Sequence, residues 1–225
     1  MAGQVPEIVI FDLDGTLLNT IEDLGHACNY ALRQVGLPEI EIEVYPRLVG
    51  NGVNKLIERA IRFVSPQSGM TVETVRPHFI DYYNHHNTDC TKPYAGVTEM
   101  LEVLRAHGYR LAVASNKYQE GVERIVPYYF PGVFEQMLGE HAGCPRKPEP
   151  QIIQEIAKEH KAIMVGDSVV DIETAKRAGI EVIACTWGFE TREKIIAANP
   201  DYIADTPEEV VERLIVDSRK SKIES

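Results

Sequence analysis

The sequence has no apolar run approaching the ~20 residues that a membrane-spanning helix needs, so none is expected. Basic residues are in deficit, 23 Lys and Arg against 34 Asp and Glu, a formal net charge of −11. A protein that tracks a nucleic-acid backbone needs a basic face, so general nucleic-acid binding is not expected, although a local site can oppose the net charge. Cysteine is scarce. Cys28, Cys90, Cys144 and Cys185 form no C-x-x-C pair, so zinc is not suggested and free thiols are the expectation. Met1-Ala2-Gly3-Gln4-Val5-Pro6-Glu7 has neither a basic n-region nor an apolar h-region, so no secretory signal is read and a cytoplasmic location is expected. Internal repeats are also missing. What remains is 225 residues with 44% hydrophobic and 25% charged side chains, the balance of a globular protein. That length suits one large or two modest domains, with a core that needs no covalent staples.

Glu7-Ile8-Val9-Ile10-Phe11 is short, apolar and β-branched, and reads as a strand buried on both faces. Further strands are expected at Arg110 to Ala114, Phe134 to Leu138, Ala162 to Val165, Val182 to Thr186 and, weakly, Tyr202 to Ala204. Helical patterns alternate with them at Gly96 to His107, Tyr118 to Val126, Pro150 to His160, Val169 to Ala178 and Pro207 to Val216. This alternation predicts an α/β fold, a Rossmann-like parallel sheet between two helical layers. Residues 20–87 break the rhythm. Ile21, Leu24, Cys28, Ala31, Leu32 and Val35 recur at helical spacing, as do Val53, Leu56, Ile57, Ala60, Ile61 and Val64, then Val72, Val75 and Phe79. Three or four helices inserted after the first strand predict an all-helical cap domain over 20–87 and a core over 1–19 and 88–225. The tail Arg219-Lys220-Ser221-Lys222 reads as a frayed, solvated end.

Four separated pieces carry chemistry. Asp12-Leu13-Asp14-Gly15-Thr16 follows the first strand, at the carboxyl end where α/β sheets bind ligands. Its two carboxylates project to roughly the same side, and Gly15 lets the chain turn. Ser115-Asn116-Lys117 follows the strand ending at Ala114. It reads either as an anion site at a helix start or as an N-cap, with Asn116 capping and Gln119 completing a capping box. Lys147, in Arg146-Lys147-Pro148-Glu149-Pro150, either neutralises an anion or is solvated before a helix, and Arg146 is taken as solvated. Gly166-Asp167-Ser168-Val169-Val170-Asp171 places one acid at a strand end and a second in the next helical turn, where it also suits the helix dipole. Asp12, Asp14, Asp167 and Asp171 then crowd one sheet edge. A hard divalent cation relieves their repulsion, and Mg²⁺ is held by one or two carboxylates, water and a substrate phosphate, with Lys147 and Ser115 facing the remaining phosphate oxygens.

These four pieces, in this order, resemble the motifs of the haloacid dehalogenase superfamily, over Ile8 to about Gly188 and with a helical cap after the first motif. The resemblance implies that Asp12 is the nucleophile and forms an aspartyl-phosphate, and that Asp14 protonates the leaving oxygen and then activates water. It implies that Ser115 and the N–H of Asn116 hold phosphate and that Lys147 ties Asp12 to it. It also implies that Asp12, Asp167 and the carbonyl of Asp14 ligate Mg²⁺, with Asp171 supporting the metal indirectly. An Asp at position 14 is what the phosphatases and phosphomutases of this superfamily carry. Leu48-Val49-Gly50-Asn51-Gly52-Val53, Ala175-Lys176-x-Ala178-Gly179 and Trp187-Gly188 are similar to the phosphoglycolate phosphatase group, and pyrophosphatase-like relatives share several of these features.

The expected activity is therefore Mg²⁺-dependent hydrolysis of a small phosphorylated metabolite, 2-phosphoglycolate first. A β-phosphoglucomutase-like mutase, a pyrophosphatase and a non-catalytic binding protein are the alternatives, with no nucleic-acid or membrane partner and a monomer or homodimer. Asn51 and Lys55 are expected over the leaving group, although Gly50-Asn51-Gly52 also reads as a plain turn. His85-His86 reads as an exposed helix end, Trp187 as packing, and Tyr128-Tyr129-Phe130 as packing between helix and sheet.

Overall fold

The computed structural model describes residues 6–223, with side-chain surroundings given through Val216. Met1–Val5, read above for a signal, lie outside the described residues. Six parallel strands form one sheet: β1 (Ile8–Phe11), β4 (Arg110–Tyr118), β5 (Gln136–Glu140), β6 (Ala162–Gly166), β7 (Glu181–Cys185) and β8 (Tyr202–Ala204), in the order β5-β4-β1-β6-β7-β8. β1 is central. Ile8 to Phe11 pair with Arg110 to Val113 on one side and with Ala162 to Val165 on the other.

Side chains alternate faces along each strand. Val9, Phe11, Leu111, Val113, Ile163 and Val165 join one apolar layer, covered by α4 (Val97–Ala106), α5 (Gln119–Tyr129) and α9 (Pro207–Ile223). Ile8, Ile10, Ala112, Ala114, Ala162 and Met164 face the other way, under α6 (Gln151–Ala157), α7 (Val169–Ala178) and α8 (Arg192–Ala197). Burial on both faces is why these strands read as continuous apolar runs rather than alternating ones. The fold class is the expected three-layer α/β arrangement. Among the described residues, no helix is long and apolar enough to cross a membrane.

Between β1 and α4 lie α1 (Ile21–Gln34), a 3-10 turn at Ile42–Arg47, α2 (Val53–Val64) and α3 (Val72–His86), which share their own apolar cluster around Leu32, Tyr45, Ile57, Phe79 and Tyr83. Two short strands absent from the sequence reading flank these helices. β2 (Leu18–Asn19) and β3 (Lys92–Pro93) pair antiparallel, so the outgoing and returning chain cross side by side. Asp23, buried on α1, fastens the same crossing by accepting the N–H groups of Cys90 (3.0 Å) and Thr91 (2.9 Å) and the Thr91 hydroxyl (2.7 Å).

Several boundaries differ from expectation: α5 runs three residues past Val126, α6 stops at Ala157 instead of His160, and three more differ as follows. β5 starts two residues later than the apolar pattern suggested, because Phe134 packs edge-on against Phe11 and Phe130 instead of entering the ladder. β4 runs to Tyr118 because the chain stays extended past Ala114, with an irregular register: Ala114 pairs with Leu138, and the next pair is Tyr118 with Glu140. α9 continues to Ile223, past Val216, and takes in residues 219–222 that read as a frayed end.

Candidate active site

Two strand ends, those of β1 and β6, bring the acids together. Asp12, the residue after β1, donates its backbone N–H to Val165 O at 2.9 Å, which locks it against the end of β6. Lys147 Nζ lies 2.7 Å from Asp12 Oδ1 and 2.7 Å from Asp171 Oδ1. This lysine is buried, not solvated, and its charge is held high because Asp12 and Asp171 outweigh the burial that opposes it. Asp171 serves both readings of the sequence at once. Its Oδ2 closes a capping box with Ser168 at the start of α7, while Oδ1 holds Lys147.

Asp167 is held from two sides. Thr16 donates its hydroxyl to Oδ1 at 2.9 Å and Phe189 donates its N–H to Oδ2 at 2.8 Å. One carboxylate oxygen from each of Asp12, Asp167 and Asp171 falls within 4.8 Å of the other two, and all three residues are buried. Burial, set against the Lys147 charge and reinforced by Asp171, pushes Asp12 up to about 7. Burial and then its acidic neighbours push Asp167 well above the carboxylate range. One lysine does not compensate three carboxylates.

Asp14, two residues after Asp12, is tied differently. Lys117 Nζ lies 3.0 Å from both of its oxygens, and Thr20 donates to Oδ1 at 2.8 Å. No role was read for Lys117 from the sequence, where it was simply the third residue of a possible helix cap.

The irregular end of β4 corrects that cap. The chain is still in strand at Ser115 to Lys117, and Tyr118 occupies the N-cap of α5 without a side-chain capping bond. Asn116 instead pins the backbone of Lys147, donating Nδ2 to Lys147 O (3.1 Å) and accepting Lys147 N–H on Oδ1 (2.9 Å). Ser115 is buried and lines the same cavity.

Among the residues expected over the leaving group, Asn51 lines the cavity and Lys55 does not. Lys55 pairs with Glu58 at 2.7 Å on an exposed helical face, where an i,i+3 partner is nearer than any group in the site. The turn that carries Asn51 is organised by Arg59. Its guanidinium donates to the carbonyls of Leu48, Val49 and Gly50 and to Asn51 Oδ1. Arg146 is not merely solvated either. It reaches the carbonyl of Asn51 at 3.2 Å and pairs with Glu140, joining the sheet unit to the helical one. Trp187 packs beside the core and donates Nε1 to Thr16 O at 3.0 Å. Tyr128 is exposed, whereas Tyr129 and Phe130 pack inward as expected.

Residues 9–185 match the model of the family described as haloacid dehalogenase-like hydrolase. The chain belongs to that family. Relatives of this hydrolase include the phosphoglycolate phosphatase of Vibrio parahaemolyticus, 33% identical over 96% of this chain and 99% of the relative. The phosphoglycolate phosphatase of Mesorhizobium japonicum is 34% identical over 82% of this chain and 85% of its own. The crystal structure of a predicted phosphoglycolate phosphatase from Haemophilus somnus superposes with a TM-score of 0.84 at 30% identity, covering 92% of this chain and 96% of that one.

In this hydrolase the acids open into a cavity of about 360 Å³, roofed by the 46–53 segment and by α2 and α3, a size that suits a small metabolite. The donor set fits a hard divalent cation. Asp12 and Asp167 offer oxygen ligands only, both held against their own ionisation by burial, and Asp171 has each oxygen engaged by Lys147 or Ser168.

Proposed function

We propose that this haloacid dehalogenase-like phosphatase hydrolyses a small phosphate monoester through a phosphoryl group carried on Asp12, and that its substrate is 2-phosphoglycolate. The observation that carries the reaction is the unlike environment of two carboxyl groups two residues apart: Asp12 on Lys147 among buried acids, and Asp14 on Lys117 and Thr20. Lys147 engages Asp12 Oδ1, so attack on phosphorus falls to the other oxygen. The phosphorus–oxygen bond to the leaving group breaks, and Asp14 delivers its proton to that oxygen. Water then attacks the phosphoryl group on Asp12, Asp14 takes back a proton, and Asp12 is released as carboxylate with inorganic phosphate. Ser115 and the backbone N–H of Asn116 hold the phosphoryl oxygens. Asp12, Asp167 and the carbonyl of Asp14 would hold Mg²⁺, with Asp171 acting through Lys147, and the ion would supply charge neutralisation between the acids and the phosphate. The helices of 20–87 act as a cap whose Gly50–Gly52 turn closes the cavity and excludes water.

The acid substrate is supported by Arg47 and by the names of the relatives. Five cationic side chains line the cavity: Arg47, Arg59, Lys117, Lys147 and Lys194. Arg59 serves the turn, Lys117 serves Asp14, Lys147 serves Asp12 and Asp171, and Lys194 pairs with Glu190. Among the described residues, Arg47 alone of these five has no ion-pair or hydrogen-bond partner, so its planar fork is available to a substrate carboxylate. Phosphate release from 2-phosphoglycolate and from ethyl phosphate, with Mg²⁺ present, tests this. The parent should prefer the acid, and Arg47→Gln should narrow that preference at least about tenfold, the order expected for losing one charged contact. No preference in the parent removes phosphoglycolate as the substrate class. With a hexose phosphate as substrate, isomerised sugar phosphate in place of free phosphate would make the enzyme a mutase.

A further inference from the structure

Lys117 is a buried cation to which the reaction above assigns no step of its own. Its side chain is 3% exposed, and it reaches across 103 residues to place Nζ at 3.0 Å from each oxygen of Asp14. Buried ion pairs often fail to repay the cost of desolvation, so an ion pair at this position calls for a reason other than stability. The stem lies in a narrow slot. A Cβ on Gly121 would come within 3.2 Å of Lys117 Cγ, and one on Gly139 within 2.5 Å of the Lys117 carbonyl oxygen. The irregular end of β4 creates the orientation, since the ladder is interrupted between Ala114 and Tyr118.

The helical unit completes the arrangement. The ring of Tyr83, on α3, stands 4.7 Å from Lys117 Nζ. Among the described residues the buried Tyr83 hydroxyl has no hydrogen-bond partner, so the face of the ring, not the hydroxyl, is what the lysine meets. The next residues of the same two elements also meet, Tyr118 donating its hydroxyl to Asn84 Oδ1 at 2.8 Å. Consecutive residues of β4 are thus joined to consecutive residues of α3 at the point where Asp14 is held.

We propose that Lys117 is a positioning residue that fixes the plane of the Asp14 carboxyl group, and that Tyr83 holds Lys117 in place only when the helices stand over the sheet edge. The proton donor and acceptor is then completed by closure. A cation shared between both oxygens stops the carboxyl group from rotating away from the leaving oxygen in the first half-reaction and from the water in the second. The inference rests on the acid/base role of Asp14 proposed above, and the test separates the two.

Lys117→Met keeps the length of the stem and removes the charge. With 2-phosphoglycolate, kcat should fall about 10²-fold, the lower range for loss of positioned proton transfer, while KM stays within about threefold. With p-nitrophenyl phosphate, whose leaving group needs no proton, rapid quench and intact-mass measurement should show phosphorylated Asp12 accumulating, as in Asp14→Asn. Combining Lys117→Met with Asp14→Asn should add little, because the two act as one unit. Tyr83→Leu should lower kcat more than Tyr83→Phe, which keeps the ring. Lys117→Arg and the Tyr83 pair carry the test if Lys117→Met does not fold. The proposal is overturned if Lys117→Met slows both substrates equally with no phosphorylated enzyme, or if only KM for acidic substrates rises, since Lys117 would then contact substrate. If Asp14→Asn itself shows no dependence on leaving group, the acid/base reading fails and takes this inference with it. If Asp14→Asn shows the dependence and Lys117→Met does not, only the inference fails.

Discussion

Gly188 lies against Asp167 with no room for one more carbon. A Cβ at position 188 would stand 2.3 Å from both Cβ and Oδ2 of Asp167, and the neighbouring Phe189 N–H is what holds that oxygen. Gly188→Ala should therefore displace the Asp167 carboxylate while leaving the sheet intact. The expected result is a rise of about 10- to 100-fold in the Mg²⁺ concentration needed for half-maximal activity, the usual cost of disturbing the groups that orient a metal ligand. Thermal unfolding in chelator serves as the control for folding. An unchanged Mg²⁺ requirement would take Asp167 off the list of metal ligands.

On the proposed roles, Asp14→Asn keeps the Asp12 nucleophile and the Lys147 contact but cannot transfer a proton. Turnover of 2-phosphoglycolate should fall about 10²- to 10⁴-fold. The first step with p-nitrophenyl phosphate should survive, and one phosphoryl group should be found on the protein during turnover. Asp12→Asn should show neither turnover nor labelling. Equal rates for the parent and Asp14→Asn on both substrates would end the acid/base assignment.

Asp12 also makes the metal-free protein sensitive to pH. Its folded value is raised from about 3.8 to about 7, chiefly by burial. A raised carboxyl value means that the folded state holds the proton more tightly than the unfolded chain does. The associated stability is fully present below the unfolded value and is lost as pH rises through about 7. The difference amounts to at most about 4 kcal/mol. Urea unfolding in chelator, from about pH 5 to about pH 8, should show the parent losing stability relative to Asp12→Asn, with added Mg²⁺ recovering it in the parent. Parallel curves for the two proteins would show that Asp12 ionises as freely in the fold as in water.

Gly52 tests the turn over the cavity. It holds a φ of +81°, and a Cβ there would come 2.9 Å from the backbone oxygen of Asn116. Gly52→Ala should keep the turn from seating and cut kcat/KM about 10²-fold, the scale on which misplacement by about an ångström acts. Lys55→Ala, on the exposed face of the same helix, should stay within about twofold of the parent. A loss at Lys55 equal to that at Gly52 would mean that the helix itself, and not the seating of the turn, governs activity.

Much of the site was legible because its parts are local. Asp12-x-Asp14-Gly15-Thr16 and Gly166-Asp167-Ser168-x-x-Asp171 each sit where an apolar run stops, so position along the chain already places them at strand ends. Sequence pattern and structure part where a side chain had two partners to choose from. Lys55 could face the cavity or Glu58, and Asn116 could cap a helix or pin Lys147. The pattern stops short at Lys117, whose partner Asp14 is remote in the chain and whose neighbours carry no periodic signal. Arg59 goes unread and Arg146 reads as solvated for a related reason, since both bind backbone carbonyls, which every residue offers and no residue type announces.

By itself, then, the sequence determined the alternation of strands and helices, the inserted helices and the family's four motifs, because periodicity and turn chemistry act within a few residues. Beyond the tie between Lys147 and Asp12 that the family resemblance implied, tertiary structure decided which cation meets which acid. Lys147 went to Asp12 and Asp171, Lys117 to Asp14, and Arg59 to the turn, while Arg47 was left facing the cavity with no partner among the described residues. The physical reason is that ion pairing depends on distances of a few ångströms between groups up to 135 residues apart, and those distances exist only once the strand ends and the helices over them have been packed together.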